Sequence, residues 1–176
     1  MYKRQHPKIS NLAKLFFENS WIDASLRKGK ASGAFAHPSV PSLHPYILVN
    51  YQGKIRDVMT LAHELGHGVH QILAGKNGLL MAETPLTLAE TASVFGEMLV
   101  FRKLLDESSI AQKKQLLSGK IEDMLNTVAR QIGFHQFEVK FHEARIKTEL
   151  TPDEISNIWR GTQSHAVRLC PHPNIT

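Results

Sequence analysis

The stretch His63-Glu64-Leu65-Gly66-His67 lies inside a run from Asp57 to Ala74 whose spacing predicts one helix. On a helix, four residues carry His67 roughly 40° round and about 6 Å along from His63, so the two imidazoles share a face and can close on one ion. Glu64 projects beside that pair, where a carboxylate reaches a metal-held water without being a ligand. This is the HExxH pattern, and its residue types suit zinc chemistry. It constrains the chain more than any other feature, because two histidines are not a catalytic site: a third protein ligand must come over their face, leaving one position open.

His70 lies nearly on that face, but roughly 10.5 Å along the axis from His63, too far for one ion on a straight helix. The extended pattern with a third histidine would need glycine where His70 stands and histidine where Leu73 stands, so that variant is excluded. Glu83, Glu90 and Glu97 remain. Glu83 precedes Pro85 and falls before the next predicted helix. Glu90 follows His67 by 23 residues, enough for the first helix to end, turn between Gly75 and Gly78, and return antiparallel. Glu90 is therefore favoured as the ligand. Thr87-Leu88-Ala89-Glu90 also reads as a capping box, which would make Glu90 a helix-start residue instead. Ser93 and Glu97 fall near the same helical face and are candidates to orient a ligand. Two neutral imidazoles and one carboxylate leave a zinc site positive, which lowers the pKa of a bound water from about 15.7 to roughly 7. Glu64 is then the general base, and the reaction class is amide hydrolysis.

At 176 residues with 42% apolar content, the chain has the size of one ordinary domain with a real core. Its formal charge of +5 is spread along the sequence, and the cluster Lys3-Arg4 with Lys8 is too thin for a nucleic-acid arm. A single cysteine, Cys170, excludes an internal disulfide and a thiolate zinc site, so a metal must be held by His and carboxylate. No apolar run approaches the ~20 residues of a membrane span, and no signal peptide is legible. The expectation is a cytoplasmic protein with no nucleic-acid or membrane partner.

Ile9, Leu12, Leu15, Phe16, Trp21 and Ile22 sit near helical spacing and predict an amphipathic helix over 9–22. From Asp23 to Pro45 the chain reads as irregular, with Ala34-Phe35-Ala36 as a candidate short strand. Tyr46-Ile47-Leu48-Val49-Asn50-Tyr51 is the best strand, and Gln52-Gly53 turns it toward the HExxH helix, with Asp57 as its cap. A second helix is predicted from Thr84 as cap and Pro85 at the first position to about Leu105. The stretch 110–148 carries a stripe of Leu117, Ile121, Met124, Leu125, Val128 and Ile132. Phe134, Phe137 and Phe141 lie on a rotated face, with Gly133 at the change of phase, so one bent helix and two helices are both open. Thr151-Pro152-Asp153-Glu154 is a capping box opening the last helix. His135, Glu138 and His142 share a helix face but read as solvated, because a metal site there needs ligands from other helices. His37 and His44 are read as loop histidines.

Taken together, Gly33-Ala34-Phe35, the run His44 to Gly53, the run Arg56 to His70 and the run Thr87 to Glu97 closely resemble the oligoendopeptidase F family of thimet-oligopeptidase-like zinc peptidases. The resemblance covers about residues 9 to 169. It implies that His63, His67 and Glu90 ligate one zinc ion per chain and that Glu64 is the base. It also implies that Gly33, Ala34, Phe35 and Ala36 form an edge strand that pairs with an extended peptide. The fold it implies is mainly α, a zinc-peptidase catalytic region of the gluzincin type with a small β element. Its substrates would be short peptides entering a channel. Family enzymes are several times longer, with two helical halves, so the chain corresponds to a middle-to-late slice in a single domain, 1–176. It is expected to lack the N-terminal half and the later His- and Tyr-rich stretch that supplies transition-state donors. Residues 1–8 and 170–176 are expected to be ends outside the pattern. The expected function is zinc-dependent endopeptidase action on short oligopeptides. The alternative is a catalytically silent segment that binds zinc or peptide.

Overall fold

A computed structural model describes residues 6–169, so the expected ends at 1–8 and 170–176 lie outside the described residues except for 6–8. In chain order the elements are α1 (Pro7–Glu18), β1 (Ile22–Asp23), β2 (Phe35–His37), β3 (Tyr46–Leu48), α2 (Ile55–Gly75), a 3₁₀ turn (Leu79–Met81), α3 (Leu86–Glu107), α4 (Ile110–Lys147) and α5 (Pro152–Leu169). The chain is mainly helical with one small sheet, as expected. It divides into two compact units after Ser108.

In the first unit, α1 ends four residues earlier than its apolar spacing predicts. Ser20 takes a left-handed φ of 58°, and the Trp21 N–H returns to the Phe16 carbonyl at 3.0 Å. Asn19 closes the last turn by donating to the Leu15 carbonyl from both its backbone and its side chain. This is a Schellman ending, and its usual apolar contact is made by the Phe16 and Trp21 rings, edge to face at 5.3 Å. Trp21 and Ile22 therefore keep their apolar role without being helical: Ile22 enters β1.

The sheet order is β1-β3-β2, with β1 parallel and β2 antiparallel to β3. β3 is shorter than the predicted 46–51, but Val49 and Tyr51 still donate to the Asp23 and Ala24 carbonyls. Phe16, Ile47, Val49 and Leu65 form the buried core, joining α1, the sheet and α2, and Trp21, Ile22, Leu61 and Ile72 pack around them. Each such side chain fully buried is worth roughly 1.5–3 kcal/mol. The irregular stretch before β2 is held by Lys30, whose buried ammonium donates to the Asp23, Ser25 and Val49 carbonyls and to Asp23 Oδ1.

α2 begins at Ile55, two residues before the predicted cap. Asp57 is instead its third residue, and its carboxylate accepts from the backbone N–H groups of Gln52 at 2.7 Å and Lys54 at 3.0 Å. α3 begins at Leu86 with Pro85 just outside, one residue later than predicted, and α2 packs along it.

In the second unit, α4 is a single helix that passes through the buried Gly133 without interruption, which settles the alternatives at the change of phase. Phe134 and Phe137 meet Trp159 of α5, at 5.7 Å stacked and 5.1 Å edge to face. The predicted capping box at Thr151 and Glu154 is formed in both directions. The stripe from Leu117 to Ile132 lies exposed.

Candidate metal centre

α2 presents His63 and His67 on one face with ring centroids 5.0 Å apart, as the four-residue spacing requires. α3 returns alongside and places Glu90 over both rings: its Oε2 lies 3.1 Å from His63 Nε2 and 3.5 Å from His67 Nε2. Ligand atoms of the three residues all fall within 4.8 Å of one another. Ligands at 2.0–2.2 Å around a tetrahedral ion stand about 3.3 Å apart, and the two Glu90-to-imidazole separations match that spacing, so the residue types and the approach of Glu90 suit zinc. The sequence alternative, in which Glu90 caps α3, is not the arrangement formed: α3 has no side-chain cap, and Glu90 lies beyond its first turn.

Ser93 and Glu97 each touch one of those three. The fully buried Ser93 donates its hydroxyl to Glu90 Oε2 at 2.6 Å and leans on the Glu90 carbonyl at 3.0 Å, fixing the carboxylate. Glu97 Oε2 faces His63 Nδ1 at 3.3 Å, which leaves Nε2 pointing at the common point. That contact raises the His63 pKa above the ordinary imidazole value against the opposing effect of burial. His67 goes the other way, lowered chiefly by burial and only partly offset by Glu90. Glu64 is buried next to them, and burial raises its carboxyl pKa, with the His63 charge pulling back down.

These residues floor a cleft of about 470 Å³. One wall is Ala34, Phe35 and Ala36; another is Ala82, Glu83 and Thr84; His70 and Gln71 lie further along α2. β2 is an edge strand, as expected, but it runs Phe35–His37 and not over Gly33–Ala36; its Phe35 and Ala36 reach the cleft. Gly33 does not line it: with a left-handed φ of 84°, it turns its carbonyl to accept from Asn50 Nδ2. Among the described residues His135, Glu138 and His142 form no metal-ligand group with others.

Residues 6–174 match the model of peptidase family M3. The chain belongs to peptidase family M3. Among curated M3 relatives, the chromosomal oligoendopeptidase F of Lactococcus lactis subsp. cremoris is 34% identical over 154 residues, which are 86% of this chain and 25% of that protein. An oligoendopeptidase F homolog of Borreliella burgdorferi is 38% identical over 132 residues, 73% of this chain and 22% of its own. The chain thus spans about a quarter of the length of the curated relatives it matches. A solved structure from Chlamydophila abortus, described as a peptidase, superposes with a TM-score of 0.65 at 31% identity, covering 92% of this chain and 28% of that one. One from Bacillus anthracis, described as an oligoendopeptidase F, superposes with a TM-score of 0.71 at 16% identity, covering 96% and 31%, and shows a shared fold.

Three residues of this M3 site escape the motif. A Cβ on Gly66 would meet the Ala92 carbonyl oxygen at 2.5 Å, so glycine there is what lets α3 approach. Gly68 does the same for the Phe16 ring on another face. Two glycines within one predicted helix are the sequence signal for such approaches. Gln71, which ties α2 to β2 through the Ala36 carbonyl at 3.2 Å, leaves no such signal.

Proposed function

We propose that the chain is the metal-binding segment of a zinc-dependent endopeptidase acting on short oligopeptides, with His63, His67 and Glu90 holding the ion and Glu64 as general base. The convergence of three ligand atoms within 4.8 Å at the floor of an open cleft carries this reading. Zinc, when bound there, supplies a Lewis acid that polarises a carbonyl and acidifies water. Glu64 takes the proton of the attacking water and returns it to the departing amine. Its burial supports this, since a base works best when lifted toward the operating pH. Ser93 and Glu97 orient Glu90 and His63, so the ligands are preorganised. An extended peptide enters the cleft beside Ala34, Phe35 and Ala36, pairing with the chain where it leads into β2, with its scissile bond over the histidine face. The sequence expectation that Gly33 joins these residues becomes, in this reading, a turn that sets the strand's start.

A second reading is favoured by the extent of the match: a segment of about a quarter of its relatives binds zinc or peptide without turning over. Zinc content and cleavage of a quenched fluorescent heptapeptide library, on the parent and on Glu64→Gln, separate the two. One zinc per chain in both proteins, with cleavage reduced about 10²-fold or more in the variant, is the expected result. Zinc in both with cleavage in neither selects the second reading. Absence of zinc binding overturns the first reading, and absence of both zinc and peptide binding overturns the second.

A further inference from the structure

The structure assigns Gln71 a positioning role: it straps edge strand β2 to the helix bearing His63, Glu64 and His67, and so sets the edge along which a peptide aligns. The inference rests on the peptide-cleft reading above and deepens it. Ile47 and Val49 of the β3 segment donate to Trp21 and Asp23, so the Ile47 backbone faces β1. Its antiparallel partner Ala36 then belongs to a non-hydrogen-bonded pair, and the Ala36 N–H and C=O point away from β3, out of the sheet edge. Both are met by α2. The Ala36 carbonyl accepts from Gln71 Nε2 at 3.2 Å, and the Ala36 amide faces the Glu64 carboxyl. Gln71 is thus the side chain that hydrogen-bonds this strand residue to the helix that carries the metal ligands, with the Glu64 carboxyl facing the Ala36 amide. Ala34 lies just before β2 and lines the cleft, where an incoming peptide would meet the strand.

The other end of Gln71 shows what this costs. Its Oε1 is buried and accepts no hydrogen bond from the described residues. Swapping the two ends of the amide would set an oxygen against the Ala36 carbonyl, so the donor must be where it is. A buried acceptor without a donor is destabilising, and methionine would fill the same space without that penalty. The Nε2 donor to the Ala36 carbonyl is what methionine at this position would lack.

The test uses the zinc-loaded full chain and the near-isosteric variants Gln71→Met, which cannot donate, and Gln71→Glu, which cannot donate while ionised and is compared at pH 8. Amide exchange is followed at Phe35 and His37, which pair β2 with β3, and along α2. Affinity for an extended heptapeptide with a reduced, uncleavable central bond is followed by fluorescence anisotropy. Expected are unchanged zinc stoichiometry, exchange faster by roughly 2- to 10-fold in β2 only, and peptide affinity lower by a similar factor. Unchanged exchange in β2, or exchange that rises equally along α2, overturns the assignment. Should the parent bind no peptide, the cleft reading fails by itself, while the exchange at β2 still decides whether Gln71 holds the strand. If Gln71→Met does not fold, Gln71→Glu carries the same comparison.

Discussion

A Cβ built on Gly66 lies 2.5 Å from the Ala92 carbonyl oxygen and 2.7 Å from Ser93 Cα, both backbone atoms of α3 that cannot step aside. Gly66→Ala must therefore push the two helices apart and draw Glu90 off the histidines. The expected cost is about 1–3 kcal/mol of stability together with a loss of zinc affinity, read by calorimetry and zinc titration. Gly68→Ala meets the Phe16 ring instead, on the core side, so it should cost stability while leaving zinc affinity nearly intact. Equal losses of zinc affinity in the two variants would disprove this division of labour. Glu97 acts on His63 through charge. In the metal-free protein it raises His63, a contribution that stabilises at pH below the ordinary imidazole value of 6.5 and is lost as pH rises through the raised one. His67, lowered by burial, contributes in the opposite sense, so the comparison must be with Glu97→Gln. From pH 5 to 8 the metal-free stability of the parent should decline relative to that variant. The zinc-induced rise in Tm should grow over the same range, because zinc needs both imidazoles neutral. At neutral pH the variant should bind zinc about 10-fold or more weakly.

At the scale of elements, the predicted helices and strands are present, and the errors lie at their ends. Trp21 and Ile22 continue the apolar spacing of α1, yet Ser20 turns left-handed and sends them into the sheet core. Periodicity registers which side chains are buried; it is blind to a reversal that keeps them buried in another element. Asp57 read as a cap because its carboxylate does accept amide hydrogens at the start of α2, though from the third helical position. The irregular stretch between β1 and β2 hid its own organiser. Lys30, with a side chain 2% exposed, gathers three carbonyls and the Asp23 carboxylate. Lys30→Met should cost about 1–3 kcal/mol, measured by denaturant unfolding, because the Ser25 and Val49 carbonyls lose their donor while Asp23 keeps the Val49 N–H on its carbonyl and Arg27 on its carboxylate. A loss under about 0.5 kcal/mol would show that water replaces the ammonium.

For the whole molecule, the unit that ends at Ser108 contains every residue of the proposed metal centre and the core that aligns α2 with the sheet. A chain cut after Ser108 is expected to bind one zinc with an affinity within about tenfold of the full chain, about 1.4 kcal/mol, measured by titration against a chelator. A larger loss would make α4 and α5 necessary to the site. Relatives of about three and a half times this length match the chain, so peptide turnover is a question for the assay on this chain and not for the match alone.

The sequence by itself determined the helical class, the zinc-suited pair on one helix face, the neighbouring carboxylate, and the narrow set of third ligands. Those follow from fixed helix geometry and from residue chemistry, both of which act over a few residues. Only the tertiary structure decided that Glu90 faces both histidines, that Ser93 and Glu97 hold Glu90 and His63, and that Gln71 ties the edge strand to α2. Each of these depends on how closely and at what rotation two distant segments pack. That is set by a missing Cβ at Gly66 and by a core of side chains drawn from α1, the sheet and α2, which no local spacing encodes.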